Sequence, residues 1–363
     1  MGIRKEVFGY MPDGREVVLF TIYNAKGEKA CVTNYGAILV SLFVQDRAGS
    51  FRDVVLGYDK IEDYFDNHPM FGATVGRNVN RIRNARFQID GKVYQLAKNR
   101  GEHNIHSDKK HGFHKVLWEY MIIDDNTVRF HYISPDGEQG FPGTLDVFAA
   151  YSLTQGGGLI LTYRAVSDKK TLINMTNHTY FNLAGQGGKD ILDTTVSICA
   201  DHYTPVDQDL IPTGEYRNVL GTPMNLTEPV RIRDAMLPEY PQIQMAGGFD
   251  HNFVIRNAHT GLRKMAEAAD QRSGIRMEVY SDLPGMQFYT GNSLLNVPGK
   301  RGTVYGKWGG FCMEPHYFPN SINTPGFEAP VFEPDEEYSA TILYQFVPMK
   351  DTGDNNIFGG DIV

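Results

Sequence analysis

The sequence contains few cysteines, and they lie far apart. Only Cys31, Cys199 and Cys312 occur in 363 residues, and no two of them have the close spacing of a zinc knuckle or a redox pair. An odd number at such spacing argues against a disulfide framework, so we interpret all three as free thiols. The HExxH motif is absent and no acidic or cysteine partner stands at metal-ligand spacing beside the histidines. We therefore expect no metal site.

Long apolar runs and concentrated charge are also missing. No stretch approaches the length of a membrane span, and the first six residues are charged without the apolar stretch of a signal peptide. The 35 basic residues are scattered among 43 acidic ones, which excludes the positive stripe that nucleic acids require. Neither phosphate-binding glycine motifs nor a GxSxG elbow occurs. We expect a cytoplasmic protein that binds neither nucleic acids nor membranes.

What the sequence does contain is a succession of short strand-like runs separated by turn signals. Between residues 87–89 and 93–96, Asp90-Gly91 predicts a tight hairpin, because that turn demands positive φ. Strand after strand without interleaved helices predicts an all-β fold, a large antiparallel sandwich or barrel, in one domain over residues 1–363. Further runs lie at residues 17–23, 29–33, 38–44 and 128–134.

Three segments carry some helical character. Residues 58–67 and 230–237 are each predicted to hold a short helical turn. Residues 262–270 are rich in Ala and Glu, which favour helices, but they stand among strand-like runs, so we predict a strand there. The polar tail at 350–363 is predicted to be loosely held.

Polar residues within strand-like runs are the best candidates for chemistry, because a buried polar group needs a partner or a purpose. In NHTYFNL at 177–183, strand alternation places His178, Tyr180 and Asn182 on one face, as in a cleft wall. A structural histidine in a buried network is the alternative. Glu314 lies in an otherwise apolar run, where burial would raise its pKa and make it a base. Its alternative is a buried pair with Arg or His.

Two further segments offer ligand-binding groups. Asp250, within FDHNF at 249–253, could accept a hydrogen bond from a sugar hydroxyl, but taken alone it is better interpreted as a turn cap. Arg77, Arg81 and Arg83 could suggest phosphate binding. Arg77 and Arg81 could equally pair with carboxylates within a loop.

Taken together and in order, these segments resemble the aldose 1-epimerase (galactose mutarotase) family over nearly the whole chain. The matching stretches are PDG (12–14), NYGA (34–37), DVVLGY (53–58), FGATVGR (71–77), NRI (80–82), DGKVYQL (90–96), NIH (104–106), GF (112–113) with Trp118, NHTYFNL (177–183), FDHNF (249–253), PGMQFYTGN (284–292) and EPHYFPN (314–320). Single fragments are weak signals, but a collinear set is specific.

The resemblance implies a large antiparallel β-supersandwich with few short helices and an open cleft of sugar size. It implies that His178 is the general acid and Glu314 the general base for opening and reclosing an aldohexose ring such as D-galactose or D-glucose, with a bell-shaped pH dependence. No cofactor or metal is required. The sugar-contacting positions it implies are Asn80, Arg81, His106, Tyr180, Asp250 and Gln287, so the substrate role goes to Arg81 and not to Arg77.

The chain departs from the family beside His106. Ser107-Asp108 stand where two glycines are usual, which restricts the backbone there and predicts a change in how His106 is held or in specificity. Ala85 also replaces a common glycine, with a minor expected effect.

Three other functions remain open from the sequence. A hexose-6-phosphate 1-epimerase would share this chemistry but needs a basic phosphate pocket. A non-catalytic sugar-binding module would have no need of His178 with Glu314. A glycoside hydrolase would use Asp250 and Glu314 as paired carboxylates, leaving His178 without a role. The expected partner is a small aldohexose, and the protein is expected to be a monomer or a homodimer.

Overall fold

A computed structural model describes residues 1–349. The prediction made for the tail at 350–363 lies outside the described residues. Within 1–349, no helix has the length and apolar character needed to cross a membrane.

The largest unit is a nine-stranded antiparallel sheet. Its residues alternate between buried and more exposed positions, as in Leu145–Leu153, so one face is turned towards the core. In spatial order its strands are Glu119–Asp124, Thr127–Ser134, Leu145–Leu153, Gly158–Ser167, Glu337–Pro348, Ile275–Ser281, Arg263–Asp270, Thr195–Ile198 and Val230–Arg231. The late strand Glu337–Pro348 therefore lies in the middle of the sheet.

Two five-stranded antiparallel sheets pack with it around a common hydrophobic core. The core includes Phe20, Tyr151 and Phe288, one residue from each sheet. The first sheet contains Gly2–Tyr10, Glu16–Tyr23, Lys29–Thr33, Ile38–Gln45 and Phe51–Asp53, and the second, in spatial order, Arg217–Asn218, Ala200–Thr204, Asp250–Ile255, Gly285–Tyr289 and Cys312–His316. The predicted all-β antiparallel supersandwich is confirmed.

Short pairs of strands and a few helical turns connect these sheets. The pairs are Ala73–Val75 with Thr176–His178, Arg81–Ile82 with Asn104–Ile105, Arg86–Ile89 with Lys92–Gln95, Thr171–Leu172 with Val331–Phe332, and Val297–Pro298 with Val304–Tyr305. The α-helices of the described chain are Ile61–Asp66, Ile232–Ala235 and Pro241–Ala246, and its 3-10 turns are Arg83–Ala85, Phe113–Lys115, Glu138–Gly140, Lys300–Gly302 and Ser321–Asn323.

The local predictions agree with these elements. Asp90 and Gly91 have φ of 49° and 80°, as the predicted hairpin requires. Both predicted helical turns are present, and the Ala- and Glu-rich segment is the strand Arg263–Asp270. Its partner Ile275–Ser281 follows after a short turn, so sheet pairing outweighs the helix propensity of its residues.

Two residues at positions where the resemblance implies glycine adopt the backbone conformation that glycine favours. Ala85 has φ of 50° and Ser107 has φ of 63°. A non-glycine residue in this region costs roughly 1 kcal/mol or more unless its surroundings hold it there. Ser107 is held: its hydroxyl accepts a hydrogen bond from the Asn78 N–H (2.7 Å) and donates one to the Asn78 carbonyl (2.9 Å).

Candidate active site

One face of the second five-stranded sheet carries three of the predicted polar residues. Across adjacent strands, Gln287 lies opposite both Asn252 and Glu314. Asp250 is two residues before Asn252, so it projects from the same face. Asp250 therefore begins a strand and takes part in a side-chain network, and the turn cap favoured for it in isolation is wrong.

His178 reaches this face from a separate strand pair. Thr176–His178 pairs with Ala73–Val75, and the Thr176 hydroxyl donates to the Pro315 carbonyl at 2.7 Å. That contact sets the short strand beside Cys312–His316. As a result, Nε2 of His178 lies 3.9 Å from Oε2 of Glu314, and both side chains are almost completely buried. The predicted acid and base are thus brought together from residues 136 positions apart.

The strand ends at His178, so the alternation expected for 177–183 applies only in part. The Tyr180 ring still stacks on His178, with centroids 5.1 Å apart. Asn182 does not join them. Its amide donates to the carbonyls of Lys189 (2.8 Å) and Gly309 (2.9 Å), which gives it a structural role away from the cleft.

Arg81 reaches the cleft from a second strand pair, Arg81–Ile82 with Asn104–Ile105. Its Nη2 donates to Oδ2 of Asp250 at 3.1 Å and its Nη1 to Oδ1 of Asn80 at 3.3 Å. The pairing of Arg81 with Ile105 places His106 next to Asn80, whose backbone N–H donates to the His106 ring at 3.2 Å. The His106 ring lies edge-on to that of His178, with centroids 5.2 Å apart. His106 therefore faces the site despite the changed residues after it.

Burial and neighbouring charges set the protonation states. Burial raises the pKa of Glu314 well above its ordinary value; Asp250 adds to the rise and Arg81 opposes it. Burial lowers the pKa of His178 to about 4, although Asp250 opposes this. Burial thus favours the protonated carboxyl of Glu314 and the neutral ring of His178, so the pair can share one transferable proton.

The pKa of Asp250 is shifted in the opposite direction to that of Glu314. Burial acts to raise its pKa, but the Arg81 guanidinium and the Gln287 amide, which donates to Oδ1 at 2.6 Å, outweigh burial and keep the pKa below its ordinary value. Asp250 is therefore the permanent anion of the site. An anion, a guanidinium and an amide suit the fixing of sugar hydroxyls, which both donate and accept hydrogen bonds.

All eight predicted site residues line one cleft with a volume of about 800 Å³. Tyr289, Asn292, Met70 and His114 also line it, and the sequence did not single them out as site residues. Tyr289 and Asn292 fall within the PGMQFYTGN stretch, where alternation from Gln287 could have indicated Tyr289.

Three buried polar atoms of the predicted site residues lack a hydrogen-bond partner within the described chain. They are Nε of Arg81, Oε1 of Gln287 and Oε2 of Glu314. A buried polar atom left unpaired costs roughly 1–3 kcal/mol, so such atoms are uncommon unless a ligand satisfies them. Their presence on residues that surround one cavity indicates a site for a polar ligand.

Cys312 lies on the Nδ1 side of His178, the predicted acid. Its Sγ is 3.7 Å from Nδ1 of His178, and together with Glu314 the three side chains offer potential metal-ligand atoms within 4.8 Å of one another. The sequence did not indicate this cluster because its members are widely spaced. The thiol faces Nδ1 whereas Glu314 faces Nε2, so the two do not converge on one ring nitrogen.

Arg77 is structural. It is completely buried, and its guanidinium donates to Ser134 and to the carbonyls of Pro135, Pro142 and Gly143. The carboxylate partner considered for it is therefore wrong, whereas Arg81 does pair with a carboxylate.

Comparisons with known proteins match nearly the whole chain. The family model described as aldose 1-epimerase matches residues 18–345. The chain is 41% identical over 347 residues to the galactose mutarotase of Sus scrofa, covering 95% of this chain and 99% of that protein. It is 35% identical to the aldose 1-epimerase of Escherichia coli, covering 93% and 97%. The structure of galactose 1-epimerase from Lactobacillus acidophilus superposes with a TM-score of 0.84 at 27% identity, covering 96% and 99%.

Proposed function

The chain belongs to the aldose 1-epimerase family and is an isomerase of aldose anomers; we propose that Glu314 and His178 perform its proton transfers. In this proposal Glu314 is the general base and His178 the general acid at the anomeric centre of an aldohexose. Asn80, Arg81, His106, Tyr180, Asp250 and Gln287 bind the sugar. No cofactor takes part in the mechanism.

The observation that carries the proposal is the set of unpaired atoms around the acid–base pair. Nε of Arg81 is a donor, Oε1 of Gln287 is an acceptor, and Oε2 of Glu314 stands 3.9 Å from His178. A ring bearing several hydroxyl groups supplies both donors and acceptors, so one sugar can satisfy all three. Glu314 and His178 then lie beside the two oxygens attached to the anomeric carbon.

The reaction begins with the shared proton on His178. In the empty site burial favours that proton on Glu314. Hydrogen bonds from the sugar stabilise the carboxylate, and the Asp250 charge favours the imidazolium, so the charged pair forms when the ligand replaces water. Arg81 helps by opposing protonation of Glu314.

Ring opening and reclosure then conserve protons. Glu314 removes the proton of the C1 hydroxyl while His178 gives its proton to the ring oxygen, the C1–O5 bond breaks, and an aldehyde forms. This step leaves Glu314 protonated and His178 neutral, the arrangement that burial favours. After rotation about C1–C2, His178 takes back the O5 proton as that oxygen attacks the other face of the carbonyl, and Glu314 protonates O1.

D-Galactose and D-glucose are the proposed substrates; the relatives named above include one galactose mutarotase and one aldose 1-epimerase. Arg81, Asp250 and Gln287 would orient the hydroxyls, with the charge-assisted bonds fixing the ring relative to Glu314.

The proposal is tested by polarimetry on freshly dissolved α-D-galactose and α-D-glucose. Glu314→Gln should lower kcat by at least ~1000-fold, because the amide cannot accept the C1 proton, while sugar binding measured by calorimetry remains. In the wild type, kcat/KM should rise as the pH passes the His178 pKa of about 4 and fall above the raised pKa of Glu314. The exposed Glu239→Gln variant is the control and should match the wild type. Undiminished activity in Glu314→Gln would refute its role as the base.

We also propose a cytoplasmic location and a monomeric or homodimeric state. Cys31, Cys199 and Cys312 are all free thiols, which suits a reducing compartment.

A further inference from the structure

The cleft extends well beyond the acid–base pair, and one part of its wall is basic. A single hexose fills only part of a cavity of about 800 Å³. Arg100, Lys109 and Lys110 line the cavity, although the chain as a whole carries a net charge of −8. This local excess of positive charge has no part in the ring-opening chemistry described above.

The other cations of the cleft are already engaged. Arg81 is paired with Asp250, and the Lys115 ammonium donates to the carbonyls of Phe65 (2.7 Å) and Asp66 (3.1 Å) at the end of the helix Ile61–Asp66. In contrast, the side chains of Arg100, Lys109 and Lys110 are exposed and have no hydrogen bond or ion pair to the part of the chain described, residues 1–349. Three cationic groups are thus available to a ligand in the cleft.

The lining carboxylates do not neutralise them. Asp250 is held by Arg81 at 3.1 Å, and Glu314 lies buried beside His178 with 3.9 Å between Oε2 and Nε2. Asp66 lies beside His68, with 3.2 Å between Oδ1 of Asp66 and Nε2 of His68. Asp66 offsets at most one of the three positive charges, so the wall keeps a net positive charge, which concentrates anions locally on a negatively charged protein.

The two lysines are presented by an ordered turn at the point where the chain departs from its family. Ser107 anchors the turn to Asn78 through both of its hydroxyl bonds. Oδ1 of Asp108 accepts the backbone N–H groups of Lys110 (2.7 Å) and His111 (2.9 Å). The side chains that replace two glycines thus fix the backbone on which the lysines stand. Lys109 and Lys110 follow His106 by three and four residues, so their Cα atoms lie within about 11–14 Å of its Cα.

We propose that this basic wall, formed by Arg100, Lys109 and Lys110, makes the enzyme act on aldoses that carry an anionic group away from C1, such as a uronate or a sugar phosphate. The proposal rests on the proposed function, because the anomeric end of the ring must still lie between His178 and Glu314. The anionic group occupies the part of the cleft that a neutral hexose leaves empty. The lysines take no part in proton transfer and act as specificity-determining residues.

The test compares kcat/KM for anomerisation of D-glucuronate and D-galacturonate with that of D-glucose and D-galactose, and includes D-glucose 6-phosphate. In the Lys109→Gln/Lys110→Gln variant, the ratio of each anionic sugar to its neutral parent should fall about three- to tenfold, the range for exposed charge pairs. Added sodium chloride should lower the same ratio in the wild type, because exposed charges are screened. Lys26→Gln/Lys29→Gln, at the exposed connection between Glu16–Tyr23 and Lys29–Thr33, is the matched control and should leave the ratio unchanged.

The proposal would be overturned if neither the double variant nor salt changed the ratio of kcat/KM for the anionic sugars to that for their neutral parents. Normal turnover of glucose and galactose in that case would leave the proposed function intact. Failure to turn over any of the five sugars would refute the proposed function and this inference together. A response confined to the uronates assigns the wall to a carboxylate, and one confined to glucose 6-phosphate assigns it to a phosphate; either result supports an anion site.

Discussion

Arg77 and Arg81 are four residues apart and both are buried, with 0% and 5% of their surface exposed, yet their hydrogen bonding differs in one respect. Every guanidinium nitrogen of Arg77 has an oxygen partner, mostly backbone carbonyls. Arg81 bonds Asn80 and Asp250 but leaves Nε unpaired beside the cleft. A buried cation with complete partners stabilises the fold, whereas one with an incomplete set is ready for a ligand.

The titratable groups of the cleft around Arg81 also differ from Arg77 in the charge state that burial favours. Burial lowers the pKa of Arg77 to about 10, so it stays charged at neutral pH, with Glu138 nearby opposing the shift. In the cleft, burial instead favours the neutral forms of Glu314, His178 and His106. Burial therefore leaves Arg77 a cation but favours uncharged groups at the site of proton transfer.

The largest expected effect is on stability at Arg77. Arg77→Met removes the donors that satisfy the carbonyls of Pro142, Gly143 and Ser134, and should lower the free energy of unfolding by about 3–5 kcal/mol. Urea unfolding measures the loss, and kcat/KM of the folded variant should stay within about threefold of the wild type. The exposed Arg86→Met should change stability by less than about 0.5 kcal/mol. If Arg77→Met lowered kcat/KM without lowering the free energy of unfolding, the structural role assigned to Arg77 would be contradicted.

At Arg81 we expect the main effect on catalysis and a smaller effect on stability. Arg81→Lys keeps a positive charge near Asp250 but loses the forked geometry and the free Nε donor, so kcat/KM should fall about 100-fold, or ~2.7 kcal/mol. Because the lysine keeps a positive charge beside Asp250, the loss of stability should be smaller than that of Arg77→Met. Arg83→Lys is the control: its partner Asp207 lies outside the cleft lining, so sugar kinetics should be unaffected. Unchanged kinetics in Arg81→Lys would contradict the assignment of Arg81 to the sugar.

A smaller effect should appear in the pH dependence of stability. Burial lowers the pKa of His114 from its ordinary 6.5 to about 3. Below pH 6.5 the unfolded chain binds a proton that the folded chain does not, so stability falls as the pH drops from 6.5 towards 3. This single group should account for about 2 kcal/mol of the loss between pH 7.5 and 5.

Unfolding titrations of His114→Gln at both pH values should therefore show a shallower pH dependence than the wild type. The exposed His259→Gln should retain the wild-type dependence. Equal pH dependence in all three proteins would mean that His114 titrates normally.

The sequence predicted those features that depend on neighbouring residues. Asp90-Gly91 predicted its hairpin because the turn itself demands positive φ. The strand Arg263–Asp270 was predicted against its own helix propensity, on the pattern of its neighbours. For the site, the collinear resemblance named eight residues, and all eight line one cleft. Their catalytic roles stay predictions.

What the sequence could not predict depends on contacts between distant segments. Nothing near Arg77 in the chain indicates that Ser134 and Pro142 supply its acceptors. Asn182 shares the alternation of Tyr180, but the strand stops at His178 and Asn182 turns to structural bonds instead. Cys312 behind the acid and the basic wall of the cleft likewise follow from strand placement and loop anchoring, which no local pattern encodes.

The position of Glu337–Pro348 in the middle of the largest sheet bears on how the protein is made. This strand pairs with Gly158–Ser167 on one side and Ile275–Ser281 on the other, and it is the last strand of the described chain. During synthesis the two halves of the sheet therefore leave the ribosome with unpaired facing edges, which join only when residues 337–348 emerge. Truncation before this strand would remove a central member of the sheet, and the two exposed edges would be open to pairing with other chains.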